Sequence, residues 1–285
     1  MQFEQTLNSI EIGKSKVVVS SFGGQLISWT HNANPIIFEN ARHAIKDLTT
    51  AYRGGAPICF PYFAKATLLS EDSTLKSEIT PQHGASRNSI WNIIDYSHSS
   101  ITVQTLQPAG VRSDSSNKES SDLQLTIQYS LSEPDLNSSK IQITASVENL
   151  SQQPLLYQLA FHTYWECSDP AAIKIEGLGS NYLDNLSGLK KCSEHNFTSV
   201  YPAALDRIYT EPLDVVTVTT GNNRLQITNS DLNQAVVWNP GSSHTLKDIN
   251  TPNFFCVESG SITPAPQIAP LERQTYKLTY LYQAL

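Results

Sequence analysis

Apolar and polar residues alternate with a period of two along much of this chain. Leu123, Leu125, Ile127, Tyr129 and Leu131 are interleaved with Gln124, Thr126, Gln128 and Ser130. Ile141, Ile143, Ala145 and Val147 repeat the pattern, as do Tyr276, Leu278, Tyr280 and Tyr282, and Val216, Val218, Leu225 and Ile227 carry it more weakly. Successive side chains of a strand point to opposite faces, so this spacing predicts antiparallel strands buried on one face. Turn signals punctuate the strands at Phe22-Gly23-Gly24, Leu178-Gly179-Ser180-Asn181, Gly221-Asn222-Asn223 and Asn239-Pro240-Gly241. No helical period is sustained over four turns, and short helices are expected only around residues 41–48 and 243–250. The polar run 112–122 reads as an exposed loop between strands, because the alternation resumes at Leu123. Without a repeat of fixed period, the pattern predicts one all-β domain over residues 1–285, a sandwich or barrel.

One stretch breaks the alternation. Residues 52–91 begin with Tyr52-Arg53-Gly54-Gly55-Ala56-Pro57-Ile58-Cys59-Phe60-Pro61-Tyr62-Phe63 and end with Pro81-Gln82-His83-Gly84-Ala85-Ser86-Arg87-Asn88-Ser89-Ile90-Trp91. Glycine lets the backbone bend sharply or approach a ligand, proline stiffens irregular segments, and aromatics supply flat apolar walls. Arg53, His83 and Arg87 within such a mixture suit the rim of a concave site. Two structural turns with an incidental arginine would read the same way locally.

The charge balance narrows the partners. Nineteen Lys and Arg against 26 Asp and Glu give a net charge of −7. That excludes the basic stripe of a nucleic-acid binder and means that an anionic ligand would need a locally positive pocket. Cys59, Cys167, Cys192 and Cys256 are scattered without a C-x-x-C, so neither a metal finger nor a disulfide framework is indicated. Free thiols, an N-terminus without a secretory pattern and no apolar run near the ~20 residues of a membrane helix predict a cytoplasmic chain away from the membrane. Dispersed histidines give no metal site, and phosphate-cradle, dinucleotide and nucleophile-elbow motifs are absent.

Three further residues carry candidate chemistry. His162 lies among apolar and aromatic neighbours in Leu159-Ala160-Phe161-His162-Thr163-Tyr164-Trp165. Confinement there could tune it as an acid or base near neutrality, although a satisfied core histidine fits the same pattern. Glu258 closes the apolar run Asn253-Phe254-Phe255-Cys256-Val257. Buried, it would need a partner or a function; at a strand end, it would face solvent. Asp206, beside Arg207, reads as a loop carboxylate that could accept two sugar hydroxyls, or as half of a surface ion pair.

Taken in order, these segments resemble one family. Arg53-Gly54-Gly55-x-Pro57-Ile58-Cys59-Phe60-Pro61-Tyr62-Phe63, Gln82-His83-Gly84-x-x-Arg87-Asn88, His162-Thr163-Tyr164, Leu205-Asp206-Arg207-Ile208-Tyr209, Val237-Trp238-Asn239-Pro240 and Phe255-Cys256-Val257-Glu258 are similar to the glucose-6-phosphate 1-epimerases of the galactose mutarotase and aldose 1-epimerase superfamily. The resemblance spans roughly residues 10–283 and implies a large antiparallel β-sandwich with few short helices. It implies Glu258 as catalytic base and His162 as catalytic acid, with Asp206 and His83 around the sugar ring. Arg53 and Arg87 fall in motifs tied to substrate and phosphate recognition. The implied reaction interconverts the anomers of a hexose 6-phosphate by ring opening and closure, with no cofactor and a small-molecule partner. A monomer is the expected state. The two side chains are expected to converge across a space about one sugar ring wide. The sequence departs from the family pattern at Ala64-Lys65, Ala85-Ser86 and Ser259, changes expected to bear on which sugar is taken. A mutarotase for neutral aldoses and a non-catalytic carbohydrate-binding domain are the alternatives.

Overall fold

The computed structural model describes residues 5–40, 51–64, 81–108, 122–199, 201–243 and 253–285. The expected helices at 41–48 and 243–250 lie outside these residues except for Ser243, and so does nearly all of the expected loop at 112–122. Helical structure among the described residues is limited to short 3-10 turns, at Ser86–Asn88, Pro170–Ala172 and Asn185–Ser187.

The alternating segments form strands in which the apolar set is buried. Leu123 to Leu131 lie in the strand Asp122–Ser132, Ile141 to Val147 in Ser138–Asn149, and Tyr276 to Tyr282 in Arg273–Ala284. Their registers match buried residue to buried residue: Leu125 with Val147, Ile127 with Ala145, Ile141 with Tyr280 and Ile143 with Leu278. A shift by one residue would turn every apolar side chain toward water, which is what fixes this pairing. These strands belong to an eight-stranded antiparallel sheet.

A second eight-stranded antiparallel sheet contains Leu159–Phe161, Tyr164–Glu166, Leu205–Tyr209, Gln234–Asn239 and Phe254–Ser261. A four-stranded sheet from residues 7–35 and a two-stranded ribbon complete the described architecture. One apolar cluster joins Val17, Val19 and Trp29 of the four-stranded sheet, Leu125, Ile127 and Tyr280 of the first large sheet, and Phe161, Trp165, Val237, Phe255 and Val257 of the second. The fold is thus the large antiparallel β-sandwich that the alternation and the resemblance predict.

Odd-numbered residues of the second sheet, such as Phe161, Trp165, Val237, Phe255 and Val257, face that core. Even-numbered residues, such as Cys256, Glu258, Val236, Trp238, Asp206 and Ile208, therefore share the outer face. Phe254–Ser261 is buried at every position, so the outer face is also covered. Part of the cover is the irregular stretch around 55–64 and 81–91. Pro57 and Gly55 accept backbone hydrogen bonds from His162 and Tyr164, both at 2.8 Å.

Within that cover, Gly84 is irreplaceable for a local reason. Its φ is +77°, and an added Cβ would sit 2.1 Å from the carbonyl oxygen of Phe60. Gly84→Ala is expected to cost about 3 kcal/mol or more, since it combines left-handed strain with a backbone clash. Denaturant midpoints of the two proteins measure this; a change below about 1 kcal/mol would contradict the close approach.

Candidate active site

Strand register brings the two candidate acid–base residues together. Phe161 pairs with Ser259 and Tyr164 with Cys256, so the intervening residues run in the same register and His162 stands opposite Glu258. Directly opposed residues of antiparallel strands have Cβ atoms about 5 Å apart. His162 Nε2 lies 3.4 Å from Glu258 Oε1. The local backbone is irregular here, with the Thr163 N–H closing onto the Phe161 carbonyl at 2.9 Å. Thr163 turns into the core, where its hydroxyl is 2.8 Å from that of Tyr280. The imidazole is stacked on Tyr164, with ring centroids 4.9 Å apart and planes 11° from parallel. The edges of Trp238 and His83 meet it, each with its centroid at 5.6 Å.

All six residues singled out from the sequence line one cleft of about 540 Å³: Arg53, His83, Arg87, His162, Asp206 and Glu258. Two expectations need correction, and two alternatives that the sequence left open are decided. Asp206 lies not on a loop but in the strand Leu205–Tyr209, where it pairs with Trp238, beside Cys256 and on the outer face. It forms no pair with Arg207, whose side chain is 2.9 Å from Glu194 and lies over the ring of Tyr182. Adjacent residues of a strand point to opposite faces, so a sequence-neighbour ion pair was not available. Glu258 is not a solvent-facing strand end but 1% exposed within its strand. His162 and Glu258 also stand side by side, not across a ring-sized gap; the space for a ligand lies in front of both.

The charges are set by burial. Burial holds the His162 imidazole well below its ordinary value, to about 3, and the Arg87 and Arg53 charges add to the effect. Burial also pushes the Glu258 carboxyl well above the carboxylate range, helped by Asp206 and opposed by Arg87. The pair therefore favours its uncharged form, a carboxyl and a neutral imidazole with one titratable proton between them, instead of separate ions. His162 Nδ1 and Glu258 Oε2 are buried without a hydrogen-bond partner among the described residues. Such groups cost stability unless a ligand satisfies them.

His83 is held in one tautomer. Its Nδ1 accepts the Ala64 N–H at 3.1 Å and lies 3.2 Å from Cys59 Sγ, so the ring proton belongs on Nε2. Burial, then the neighbouring His162 and the two arginines, depress its pKa well below the ordinary value. A neutral donor results. Arg87 closes the cleft from the 3-10 turn Ser86–Asn88, with Nη2 donating to the Gln82 carbonyl at 2.8 Å. Its Nε is buried and has no partner among the described residues.

Phe63, Ala64, Gln82, Tyr164, Asn185 and Trp238 also line the cleft. Most fall inside the quoted motifs, and their positions there were the available signal; Asn185 had none. Of the departures from the family pattern, Ala64 alone lines the cleft among the described residues. Ser86 instead donates to the Ile58 carbonyl at 2.9 Å, and Ser259 is buried in the odd-numbered register. Lys65 lies outside the described residues. The altered lining is thus narrower than the sequence suggested. The described residues hold no group of three or more His, Cys, Asp or Glu that could bind a metal, and no helix long and apolar enough to cross a membrane.

Comparison with solved structures places this sandwich among the galactose mutarotase-like folds. A protein of Synechocystis sp. PCC 6803 superposes with a TM-score of 0.80 at 18% identity, covering 100% of this chain and 99% of that one. A galactose mutarotase-like protein from Lactobacillus casei gives 0.75 at 15%, covering 98% and 100%. The sequence model of the aldose 1-epimerase family matches residues 6–283, and the chain belongs to that family. A Cenchrus ciliaris protein provisionally named glucose-6-phosphate 1-epimerase is 27% identical over 273 residues, 88% of this chain and 76% of its own length. A Salmonella typhimurium protein with the same provisional name is 24% identical over 268 residues, 88% and 81%. Family membership makes this a sugar isomerase of the mutarotase type, acting on a small-molecule sugar.

Proposed function

We propose that the chain is a glucose-6-phosphate 1-epimerase, interconverting the α and β anomers of hexose 6-phosphates. The observation that carries the reading is the His162–Glu258 pair, 3.4 Å apart, in a cleft that also holds Arg53 and Arg87.

Anomers interchange by opening the ring. The C1–O5 bond breaks as O5 gains a proton, and the C1 hydroxyl loses its proton as the aldehyde forms. O1 and O5 are both bonded to C1, so an acid and a base that are neighbours can reach both. Glu258 takes the O1 proton and His162 supplies one to O5. Rotation about C1–C2 then presents the other face of the aldehyde, and closure reverses both transfers. Each turnover leaves the pair with the single proton it began with. The neutral pair reaches the reactive arrangement by passing its shared proton from carboxyl to imidazole across their contact, a tautomeric change within one site. Each group contributes about 10²–10⁴-fold in rate.

Arg53 and Arg87 meet the 6-phosphate, since guanidinium offers paired donors to phosphate oxygens. They provide the local positive charge that a chain of net −7 otherwise lacks. Binding at the phosphate fixes the ring relative to the acid–base pair. The test is the approach of freshly dissolved α-glucose 6-phosphate to anomeric equilibrium, followed by polarimetry beside α-glucose. Acceleration of the phosphorylated sugar well beyond that of glucose is expected. Equal acceleration of both would favour a neutral-aldose mutarotase, and sugar binding without acceleration a non-catalytic domain.

The pH profile follows from the pair. With ordinary values near 4.3 for Glu and 6.5 for His, the one-proton state would span only about two units. Burial pulls the limits apart. Below about 3, His162 takes a second proton and the base is lost; well above the carboxylate range, the shared proton leaves and the acid is lost. The kcat/KM for a neutral aldose, which has no phosphate to titrate, is expected to be flat from pH 5 to pH 7. A bell centred between the ordinary values would contradict the neutral pair.

A further inference from the structure

Asn185 reaches the cleft from the turn that follows its strand. Asp184 pairs with Arg207 as the last residue of its strand, and Asn185 opens the 3-10 turn Asn185–Ser187 beside Asp206. It extends the outer-face row Tyr164, Cys256, Trp238, Asp206. The turn that carries it is fixed on both sides. Asp184 accepts from the Leu186 N–H at 3.1 Å and from the Ser187 hydroxyl at 2.8 Å, and Gly188 ends the turn in the left-handed region at φ +71°. Asn185 Nδ2 donates to Asp206 Oδ2 at 2.7 Å.

We infer that Asn185 is a specificity-determining residue, which orients Asp206 and forms with it a reader of two adjacent ring hydroxyls of the sugar. This rests on the reading of the cleft as a sugar site and deepens it. The amide occupies one oxygen of Asp206. Among the described residues, nothing hydrogen-bonds the other oxygen, the second Nδ2 hydrogen or Asn185 Oδ1. Both residues line the cleft, so two acceptors and one donor are left for a ligand there. Vicinal hydroxyls match that set, since each can donate and one can also accept. The Asn185 bond also favours the Asp206 anion, whose carboxyl burial pushes upward, and so keeps it an acceptor. Asp206 lies two strands from Glu258, roughly 10 Å across the sheet at the backbone.

The test is calorimetric binding of glucose 6-phosphate and of its 2-, 3- and 4-deoxy analogues to wild type, Asn185→Ala and Asn185→Asp. Wild type is expected to prefer the full sugar over at least two analogues with adjacent positions missing, by about tenfold or more. In Asn185→Ala the preference at those positions should fall to about threefold or less, with KM rising more than kcat falls. Asn185→Asp keeps the shape but places two carboxyls in hydrogen-bond contact. Its affinity relative to wild type should fall about tenfold between pH 5 and pH 8, as their shared proton is lost. Wild-type discrimination retained in Asn185→Ala, or a pH-independent Asn185→Asp, overturns the inference while leaving the sugar site standing. Failure of wild type to bind any hexose or hexose phosphate overturns the sugar site itself, and the inference with it.

Discussion

Glu258→Gln is expected to reduce enzymatic anomerisation of glucose 6-phosphate by about 10²–10⁴-fold, and His162→Ala by a similar factor. The glutamine fills the same space but cannot take the O1 proton. The alanine removes the donor to O5 and leaves Glu258, 1% exposed, beside an empty space. The two groups stand 3.4 Å apart and serve the same ring opening in this mechanism, so they act as a unit. The double variant should therefore lose little more than either single one, far less than the product of the two losses. Stability should move the other way for Glu258→Gln. Burial already disfavours the carboxylate, and an amide that cannot ionise should leave the midpoint of unfolding unchanged or raised. Polarimetry on the folded variants checks the rates, and denaturant midpoints check the stability. Full activity in either single variant would remove the acid–base assignment.

Which features could be read in advance depended on how each strand is solvated. Asp122–Ser132, Ser138–Asn149 and Arg273–Ala284 keep one face wet, so burial wrote a period of two into their sequences. Phe254–Ser261 is covered on both faces, and its sequence accordingly reads as an apolar run without a face. That is why Glu258 looked equally compatible with a solvent-facing end. The pairing of His162 with Glu258 is a register between segments nearly a hundred residues apart, which no local pattern encodes. The ordered motifs pointed to residues that share one cleft because its lining is assembled from them. They carried no information on side-by-side placement, on the neutral state that burial imposes, or on Asn185, whose place beside Asp206 is set by the 3-10 turn after its strand. Asp206 was misread as a loop residue because the preceding Tyr201-Pro202-Ala203-Ala204 has no strand pattern, whereas the strand begins at Leu205.

Arg87→Ala is expected to lower kcat/KM for glucose 6-phosphate about 10–100-fold more than kcat/KM for glucose, and Arg53→Ala to shift the same ratio in the same direction. The size follows from hydrogen bonds between charged groups, worth roughly 1.5–3 kcal/mol each when desolvated. Arg87 is the stronger case because its guanidinium is already positioned: Nη2 is anchored 2.8 Å from the Gln82 carbonyl, and Nε is buried without a partner among the described residues. A cation kept in that condition is costly in the free protein, and a phosphate oxygen at Nε would relieve the cost on binding. Arg87→Lys keeps the charge but loses the planar fork, so it should restore only part of the ratio. Because the side chain is half-buried and its Nε fully so, the selectivity should fall less at 0.5 M salt than it would for an exposed arginine. The rate on glucose serves as the internal control. Were Arg87→Ala to depress both sugars equally, the arginine would be supporting the cleft and not the phosphate, and the neutral-aldose reading would take precedence.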